Sequence, residues 1–334
     1  MNPTRIDRAV AVLRAGGLVA FPTETVYGLG ADATKAQAVR RIFAAKGRPD
    51  TNPLIVHVAD EQVARRYAAG WPDEAARLAR RFWPGPLTLV APRGQQIRPE
   101  VTAGLETVGL RAPDHPLALE LLRAFDGPLA APSANRSGRI SPTTAEHVRH
   151  ELGEAVELIL DGGACKVGIE STVLDLTRGK PAILRPGAVT QQQIEQVIGP
   201  VELLATSIDL SRPARSPGQQ AVHYSPTTPA FRFQAGDASR LIEWLNEHST
   251  EMAAVLLIEG SGSLSDARSS TASRHLDFLS PDPQEFAREL YAALRRADAV
   301  AGTAIFIELP PPTPQWAAVR DRILRATRPL SDLR

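Results

Sequence analysis

Hydrophobic positions open the chain with a helical spacing that soon gives way to short apolar runs. Apolar residues recur at helical intervals from Ile6 to Ala15, and a glycine pair ends that pattern before the strand-like run LVAF. Thr34 precedes a second helical pattern that extends through Ala45, so we predict that its hydroxyl caps this helix. The chain therefore begins with a helix, a strand and a second helix.

Short apolar runs at close intervals then predict a series of strands. They are PLIVHV, LTLVAP, TVGLRAP, GPLAAPSAN, VELILDGG, STVLDL and AILRPG, with the helical stretch HPLALELLRAF among them. These strands are too numerous, and several are too closely connected, for a purely parallel sheet. We therefore predict an α/β domain with a twisted mixed sheet over residues 1–204.

The pattern changes near residue 204, where the stretch SIDLSRPARSPGQQAVHYSPTTP loses its apolar period and carries four prolines. We interpret residues 205–229 as a linker, although its HYSP pattern is more specific than a spacer requires. Helical and strand-like runs alternate again from residue 230 to residue 334. This alternation predicts a small C-terminal α/β, Rossmann-like domain.

Composition narrows the class of protein without identifying a function. Hydrophobic residues make up 43% of the 334 and charged residues 22%, which is ordinary for a globular protein. The formal charge of +1 supplies no global attraction for nucleic acid or an anionic membrane. The single cysteine, Cys165, excludes an internal disulfide framework and a cysteine-rich zinc site, and we expect it to be a small buried residue. No long uncharged apolar run is present, so we expect a soluble, cytoplasmic protein.

Lys46 and Arg48 flank Gly47 at the end of the second predicted helix. One interpretation is structural, with a left-handed glycine cap and two cations near the negative end of the helix dipole. The other is an anion site, since arginine offers a planar fork and lysine a point charge, which together suit polyphosphate. His57 on the following strand is either a satisfied core residue or a ligand for a carboxylate or hydroxyl group.

Polar residues also follow later strands. Ser133 and Asn135 alternate after one strand and can reach the same side, although the stretch PSANRSG is also typical of turns. A Ser-Thr pair opens the strand STVLDL, and Arg185 lies near the end of another strand. The chain carries no Walker loop, GxGxxG fingerprint, GxSxG elbow or HExxH pair. The remaining set suits two polar, anionic substrates held side by side, with catalysis by positioning and charge neutralisation.

Taken in order, PTETVYGLG, KGRP with NPLIVHV, VGLRAPDHP, PSANRSG with SPTT, GIESTV and ILRPG closely resemble the threonylcarbamoyl-AMP synthase family with its YrdC-type domain. The resemblance covers residues 6–200. The stretch SPGQQAVHYSP and the second α/β domain resemble the longer, two-domain form of that family.

The resemblance implies a nucleotidyltransferase that condenses L-threonine, bicarbonate and ATP to threonylcarbamoyl-adenylate and pyrophosphate. Partner proteins would transfer the product's threonylcarbamoyl group to adenosine 37 of ANN-decoding tRNAs. Mg²⁺ would accompany ATP and be held by phosphate and water, with no metal ligands from protein side chains. A weak direct contact with tRNA is left open, and no membrane association is expected.

The resemblance also implies site residues. Lys46 and Arg48 would act in catalysis by neutralising charge on the leaving phosphates. Tyr224 lies in the linker, so we predict that this segment forms a lid over the cavity. The residues matched to L-threonine are Thr25, His57, Arg111, Ser133 and Ser171, and those matched to ATP are Lys46, Arg48, Asn52, Thr107, Asn135, Thr143, Arg185 and Tyr224.

Two other functions compete with the synthase interpretation. One is an RNA-binding YrdC-type module without adenylate synthesis, which a local cluster of arginine and lysine would permit despite the near-neutral chain. The other is the related carbamoyl-transfer domain of hydrogenase maturation. That larger protein carries zinc-finger cysteines, which a chain with Cys165 alone lacks.

Overall fold

A computed structural model describes residues 4–204, 223–262 and 274–333. These residues form two compact units, each described by itself below. The first comprises the described residues of 1–137 and 141–220, and the second comprises residues 138–140 with the described part of 221–334. Most of the predicted linker, and with it the predicted lid, lies outside the described residues.

Helices of the first unit begin and end at residues whose chemistry explains the boundary. Thr4 caps the first helix in a reciprocal capping box with Asp7, and Gly47 ends the second helix in the left-handed region at φ +58°. The helices are α1 (Arg5–Arg14), α2 (Ala36–Lys46), α3 (Glu61–Tyr67), α4 (Asp73–Phe82), α5 (Pro99–Thr102), α6 (Pro116–Phe125), α7 (Ala145–Leu152) and α8 (Gln191–Ile198).

The predicted cap of α2 was wrong. Lys35, not Thr34, occupies the N-cap position, and it makes no side-chain capping hydrogen bond. The N–H and hydroxyl of Thr34 instead bond Oδ1 of Asp32, at 2.9 and 2.6 Å. The carboxylate of Asp32 therefore forms a local turn that competes with capping by Thr34.

A ten-stranded mixed sheet runs through the first unit. Its order is β10-β9-β8-β4-β5-β3-β6-β2-β1-β7, with both parallel and antiparallel neighbours. The strands are β1 (Val19–Phe21), β2 (Gly28–Asp32), β3 (Ile55–His57), β4 (Leu87–Pro92), β5 (Thr107–Arg111), β6 (Leu129–Ala130), β7 (Leu158–Ile159), β8 (Thr172–Asp175), β9 (Ala182–Arg185) and β10 (Glu202–Leu203).

Apolar clusters cover both faces of the sheet at β1, which explains why this strand is a continuous apolar run. Val19 and Phe21 pack in one cluster with α1 and α6, while Ala20 faces another cluster that includes α2 and α7. All three residues are fully buried. Since neither face of this strand meets water, a period-2 polar alternation is absent from it. The predicted mixed-sheet α/β class is confirmed.

The second unit is a smaller α/β unit with a parallel sheet. The order is β13-β12-β14-β11-β15, and each pairing is parallel. Parallel neighbours need crossover connections, and a helix follows each of β11, β13 and β14 in the chain. The predicted C-terminal α/β fold is confirmed. Its elements are β11 (Ala230–Phe233), α9 (Ala238–Glu247), β12 (Ala253–Ile258), β13 (Arg274–Leu279), α10 (Pro283–Val300), β14 (Ala304–Glu308), α11 (Ala317–Ala326) and β15 (Arg328–Pro329).

Candidate active site

The loop from β1 to β2 holds Thr25 in a fixed orientation. Thr23 Oγ1 accepts hydrogen bonds from the amides of Thr25 and Val26 and donates its own proton to the Val26 carbonyl oxygen at 2.6 Å. The hydroxyl oxygens of Thr23 and Thr25 lie 2.8 Å apart, so the proton between them comes from Thr25. The Thr25 oxygen then faces Arg111 as an acceptor.

Arg111 ends β5 and is surrounded by acceptors. Its Nη1 donates to Thr25 Oγ1 at 3.0 Å, and its Nε donates to the Gly85 carbonyl oxygen at 3.2 Å. Its Nη2 lies 2.7 Å from Glu24 Oε1, in an ion pair whose two side chains are each 4% exposed. Glu24 Oε2 also accepts from the Asp114 amide at 3.0 Å. This ion pair fixes the position of the guanidinium group from which Thr25 accepts a hydrogen bond.

His57 lies beside Arg111, because β3 and β5 run parallel with these two residues in register. Burial, and secondarily the charge of Arg111, lower the pKa of His57 well below its usual value, against a smaller opposing effect of the Ile55 backbone. The imidazole is therefore neutral at pH 7. A neutral ring has one donor and one acceptor nitrogen, which suits a ligand that carries both kinds of group.

Lys46 ends α2 and reaches the loop that follows β6. Its Nζ donates to the carbonyl oxygens of Ser133 and Asn135, which brings together motif residues nearly ninety positions apart. Burial, and then the charge of Arg48, lower the pKa of Lys46, with Glu151 acting in the opposite direction. A bound anion near these two side chains would favour the charged form of Lys46 and so oppose this lowering of its pKa.

Arg48 and Asn52 form the next part of the cluster. Arg48 donates from Nε to the Asn52 carbonyl oxygen at 3.3 Å and from Nη2 to the Pro53 carbonyl oxygen at 3.0 Å. The Asn52 side chain is buried, and neither its nitrogen nor its oxygen finds a hydrogen-bond partner among the described residues. Buried amides are normally satisfied, so this one indicates a position completed by a ligand or water.

Ser171 precedes β8 and contacts two neighbouring strands. Its hydroxyl oxygen lies 2.8 Å from Thr88 Oγ1 on β4, and it accepts from Arg185 Nη2 at 3.2 Å. Arg185, at the end of β9, also donates from Nε to the Ser171 carbonyl oxygen at 3.1 Å. Thr107 begins β5 and lines a small pocket that Thr88 and Pro53 also line.

The loop before α7 supplies Thr143. Its amide donates to His147 Nδ1 at 3.2 Å, and its carbonyl oxygen accepts from the Cys165 amide at 2.9 Å. Ser141, two residues earlier, donates to Glu170 Oε1 at 2.6 Å. These contacts fix the polar segment 141–143 against the segment that precedes Ser171.

The structure therefore brings together several predicted residues directly, as the pairs Thr25 with Arg111, Lys46 with Ser133 and Asn135, Arg48 with Asn52, and Arg185 with Ser171. Thr107 and Thr143 belong to none of these pairs, and Tyr224 belongs to the second unit. It is fully buried there, with φ +64°. Its contact with ATP remains a prediction.

Sequence reasoning missed Glu24, Thr88 and Glu170 as members of the site. Glu24 had a signal, since a carboxylate between two threonines directly after a buried strand requires a partner for its charge. No pattern in the sequence indicated Thr88 or Glu170, because each acts through a residue distant in sequence.

Cys165 is buried as predicted, and burial, the main cause, raises the pKa of its thiol to about 12. It is not a nucleophile at neutral pH.

Within residues 4–204, 223–262 and 274–333, no three side chains among His, Cys, Asp and Glu converge in an arrangement that would hold a metal ion. In the same ranges, no helix has both the length and the apolar character needed to cross a bilayer.

Fold and site together define a two-unit α/β protein whose first unit has the YrdC-type architecture. Residues 11–187 match the sequence profile of the Sua5, YciO and YrdC family, described as "Telomere recombination". Residues 189–327 match the profile described as "Threonylcarbamoyl-AMP synthase, C-terminal domain". The chain belongs to the threonylcarbamoyl-AMP synthase family.

Individual relatives agree over nearly the whole chain. It is 42% identical over 329 residues to the threonylcarbamoyl-AMP synthase of Bacillus subtilis (strain 168), covering 97% of this chain and 93% of that protein. The synthase of Pyrococcus abyssi (strain GE5 / Orsay) is 41% identical, with coverages of 97% and 94%. The crystal structure of P. abyssi Sua5 complexed with L-threonine superposes with a TM-score of 0.87 at 39% identity, covering 98% of this chain and 96% of that one.

Proposed function

We infer that this protein is an L-threonylcarbamoyladenylate synthase. It condenses L-threonine, bicarbonate and ATP to threonylcarbamoyl-AMP and pyrophosphate, and so acts as a nucleotidyltransferase. The observation that carries this proposal is the convergence of polar motif residues from separate strand ends into direct contacts within the first unit. Full-length relatives named threonylcarbamoyl-AMP synthase support it, as does the L-threonine complex of the P. abyssi protein.

L-Threonine would bind at the cluster around Arg111. Arg111 already donates hydrogen bonds to Gly85 and Thr25, and its ion pair with Glu24 brings two opposite charges together, so the net charge of that pair is close to zero. We therefore assign to this pair the orientation of Thr25 and of the amino acid's polar groups, with neutral His57 offering one donor and one acceptor. Ser133 and Ser171 complete the proposed contacts with L-threonine.

ATP would bind along the cationic part of the cluster. Lys46 and Arg48 neutralise charge on the β- and γ-phosphates, and Asn52 gains from the nucleotide the hydrogen bonds that it lacks among the described residues. Magnesium enters bound to the triphosphate as part of the substrate, with phosphate and water oxygens as its ligands. The other proposed ATP contacts are Thr107, Asn135, Thr143, Arg185 and Tyr224.

The chemistry proceeds in two bond-forming steps. The amine of threonine attacks the carbon of bicarbonate or of its dehydrated form, carbon dioxide. This gives a carbamate and releases one water from bicarbonate or, with carbon dioxide, one proton from the amine. A carbamate oxygen then attacks the α-phosphorus of ATP, the bond to the bridging oxygen breaks, and pyrophosphate leaves. Such a displacement needs in-line alignment and charge neutralisation on the leaving group, which Lys46 and Arg48 supply.

Isotope labelling tests this proposal. The protein is incubated with MgATP, L-threonine and ¹³C-bicarbonate, and the adenylate product is analysed by mass spectrometry. The proposal predicts a threonine-containing adenylate that carries the ¹³C label in its carbamoyl group. Absence of the labelled adenylate, together with salt-dependent tRNA binding, would overturn the synthase proposal in favour of an RNA-binding module.

The product would serve the modification of adenosine 37 in ANN-decoding tRNAs by a separate transfer machinery.

A further inference from the structure

Tyr224 has an unusual conformation within the second unit. A tyrosine at φ +64° lies in the left-handed region that favours glycine, which is a strained conformation for a residue with a side chain. Such a residue persists only where its surroundings determine it. Its ring stacks on the ring of Tyr291, with centroids 5.7 Å apart, and the Arg322 guanidinium carbon lies 5.4 Å from its centroid. His223 packs edge-on against the same ring at 4.0 Å.

Three side chains on one face of α10 contact segments of the second unit, and these segments lie next to proposed ATP contacts in the chain. Tyr291, Arg295 and Asp298 follow a spacing of four and three residues, so they project from the same side of the helix. Tyr291 contacts Tyr224, and Arg295 donates to the Ile140 carbonyl oxygen. We call these three residues the α10 contact face.

Asp298 is the acidic member of this face, and its side chain is 15% exposed. Its carboxylate accepts from the amides of Thr227 and Thr228, both at 2.8 Å, and from Arg139 Nη2 at 3.3 Å. Arg139 also donates to the Thr227 hydroxyl. The Asp298 carboxylate therefore links Arg139, in segment 138–140, to Thr227 and Thr228, in segment 225–228.

Backbone pairing joins the same two segments. The Ser225 amide donates to the Gly138 carbonyl oxygen at 2.8 Å, and Arg139 forms an isolated parallel bridge with Ser225. In the chain, residues 138–140 separate Asn135 from Thr143, and Ser225 directly follows Tyr224. Asn135, Thr143 and Tyr224 are all proposed ATP contacts.

We propose that the α10 contact face positions ATP-binding groups, and that the second unit thereby sets the affinity for ATP. This proposal rests on the proposed function. Asp298 is a positioning residue, since it acts through segments 138–140 and 225–228. A displacement of about 1 Å in a substrate-contacting group costs up to about 100-fold in rate, so we expect clear kinetic effects without any change at the reacting atoms.

The test compares Asp298→Ala with Arg296→Ala in the full-length protein. Arg296 lies on the same helix and makes a surface ion pair of 2.6 Å with Asp277, so it is a matched control outside the α10 contact face. We expect Asp298→Ala to raise the KM for ATP about tenfold and to leave the KM for L-threonine within about twofold. Arg296→Ala should change neither constant.

Arg139→Ala provides a second variant, which leaves in place the hydrogen bonds that Asp298 accepts from the amides of Thr227 and Thr228. It should also raise the KM for ATP. Unchanged ATP constants in folded Asp298→Ala and Arg139→Ala would overturn the positioning role, as would equal rises in the KM for ATP and for L-threonine. Direct binding of MgATP by calorimetry separates the two proposals. If the wild type makes no threonylcarbamoyl-adenylate, the proposed function fails, while weaker MgATP binding by Asp298→Ala would still support the positioning role.

Discussion

Removing the carboxylate of Glu24 should destabilise the first unit by several kcal/mol. Glu24→Ala removes the carboxylate that lies 2.7 Å from Arg111, whose side chain is 4% exposed, and it removes the 3.0 Å acceptor of the Asp114 amide. Breaking a buried ion pair by removing one partner costs about 3–5 kcal/mol, because an uncompensated charge stays buried. We expect the free energy of unfolding to fall by about 4 kcal/mol.

The assay is urea unfolding followed by fluorescence, with linear extrapolation to water. Glu106→Ala is the matched control, because Glu106 pairs with Arg93 at 3.3 Å while its own side chain is 85% exposed. Exposed pairs of this kind contribute about 0.2–1 kcal/mol. A loss in Glu24→Ala no larger than the loss in Glu106→Ala would refute our account of the buried pair.

Three other predictions concern single residues. Arg48→Ala should lower the kcat for pyrophosphate release far more than Ser171→Ala, because only Arg48 is assigned to charge on the leaving phosphates; equal, small losses would contradict that division. Because the pKa of His57 is lowered in the folded protein, the imidazole takes up a proton at a higher pH in the unfolded chain than in the folded one. The free energy of unfolding of the wild type, relative to that of His57→Gln, should therefore fall as the pH drops below 6.5, by up to about 1.4 kcal/mol per pH unit, until the pH reaches the lowered pKa. The urea midpoints of the wild type and of His57→Gln are measured at pH 7 and at pH 5.5, and an equal shift between these pH values in both proteins would contradict this prediction. Burial and a thiol pKa of about 12 predict that iodoacetamide labels Cys165 at pH 8 only in denaturant, and rapid native labelling would count against this.

Local chemistry made part of the structure predictable from sequence. Gly47 follows the last apolar position of its helix and takes the left-handed conformation that glycine permits, as the pattern predicted. The apolar run at residues 18–21 likewise predicted β1. The prediction that Thr34 caps α2 was wrong because Asp32, two residues away, offers a competing acceptor. Capping patterns in a sequence do not rank such local alternatives.

Long-range partners were not predictable in this way. Glu24 and Arg111 are separated by 87 positions along the chain. Three strands also lie between β5 and β1 in the sheet, so their contact depends on the tertiary path of the loop after β1. The resemblance to a family identified Arg111 as a site residue but did not reveal that Glu24 occupies one side of its guanidinium group. Residues 138–140 illustrate the same limit, since they lie inside a motif of the first unit yet cluster with the second unit.

Pyrophosphate release from MgATP tests the central claim most directly. The reaction is run complete, then without L-threonine, and then without bicarbonate in a degassed buffer. We predict release in the complete reaction and loss of most of that release in each omission, because the carbamate formed from both substrates is the nucleophile that attacks ATP. Release that continues unchanged without L-threonine would contradict the synthase assignment.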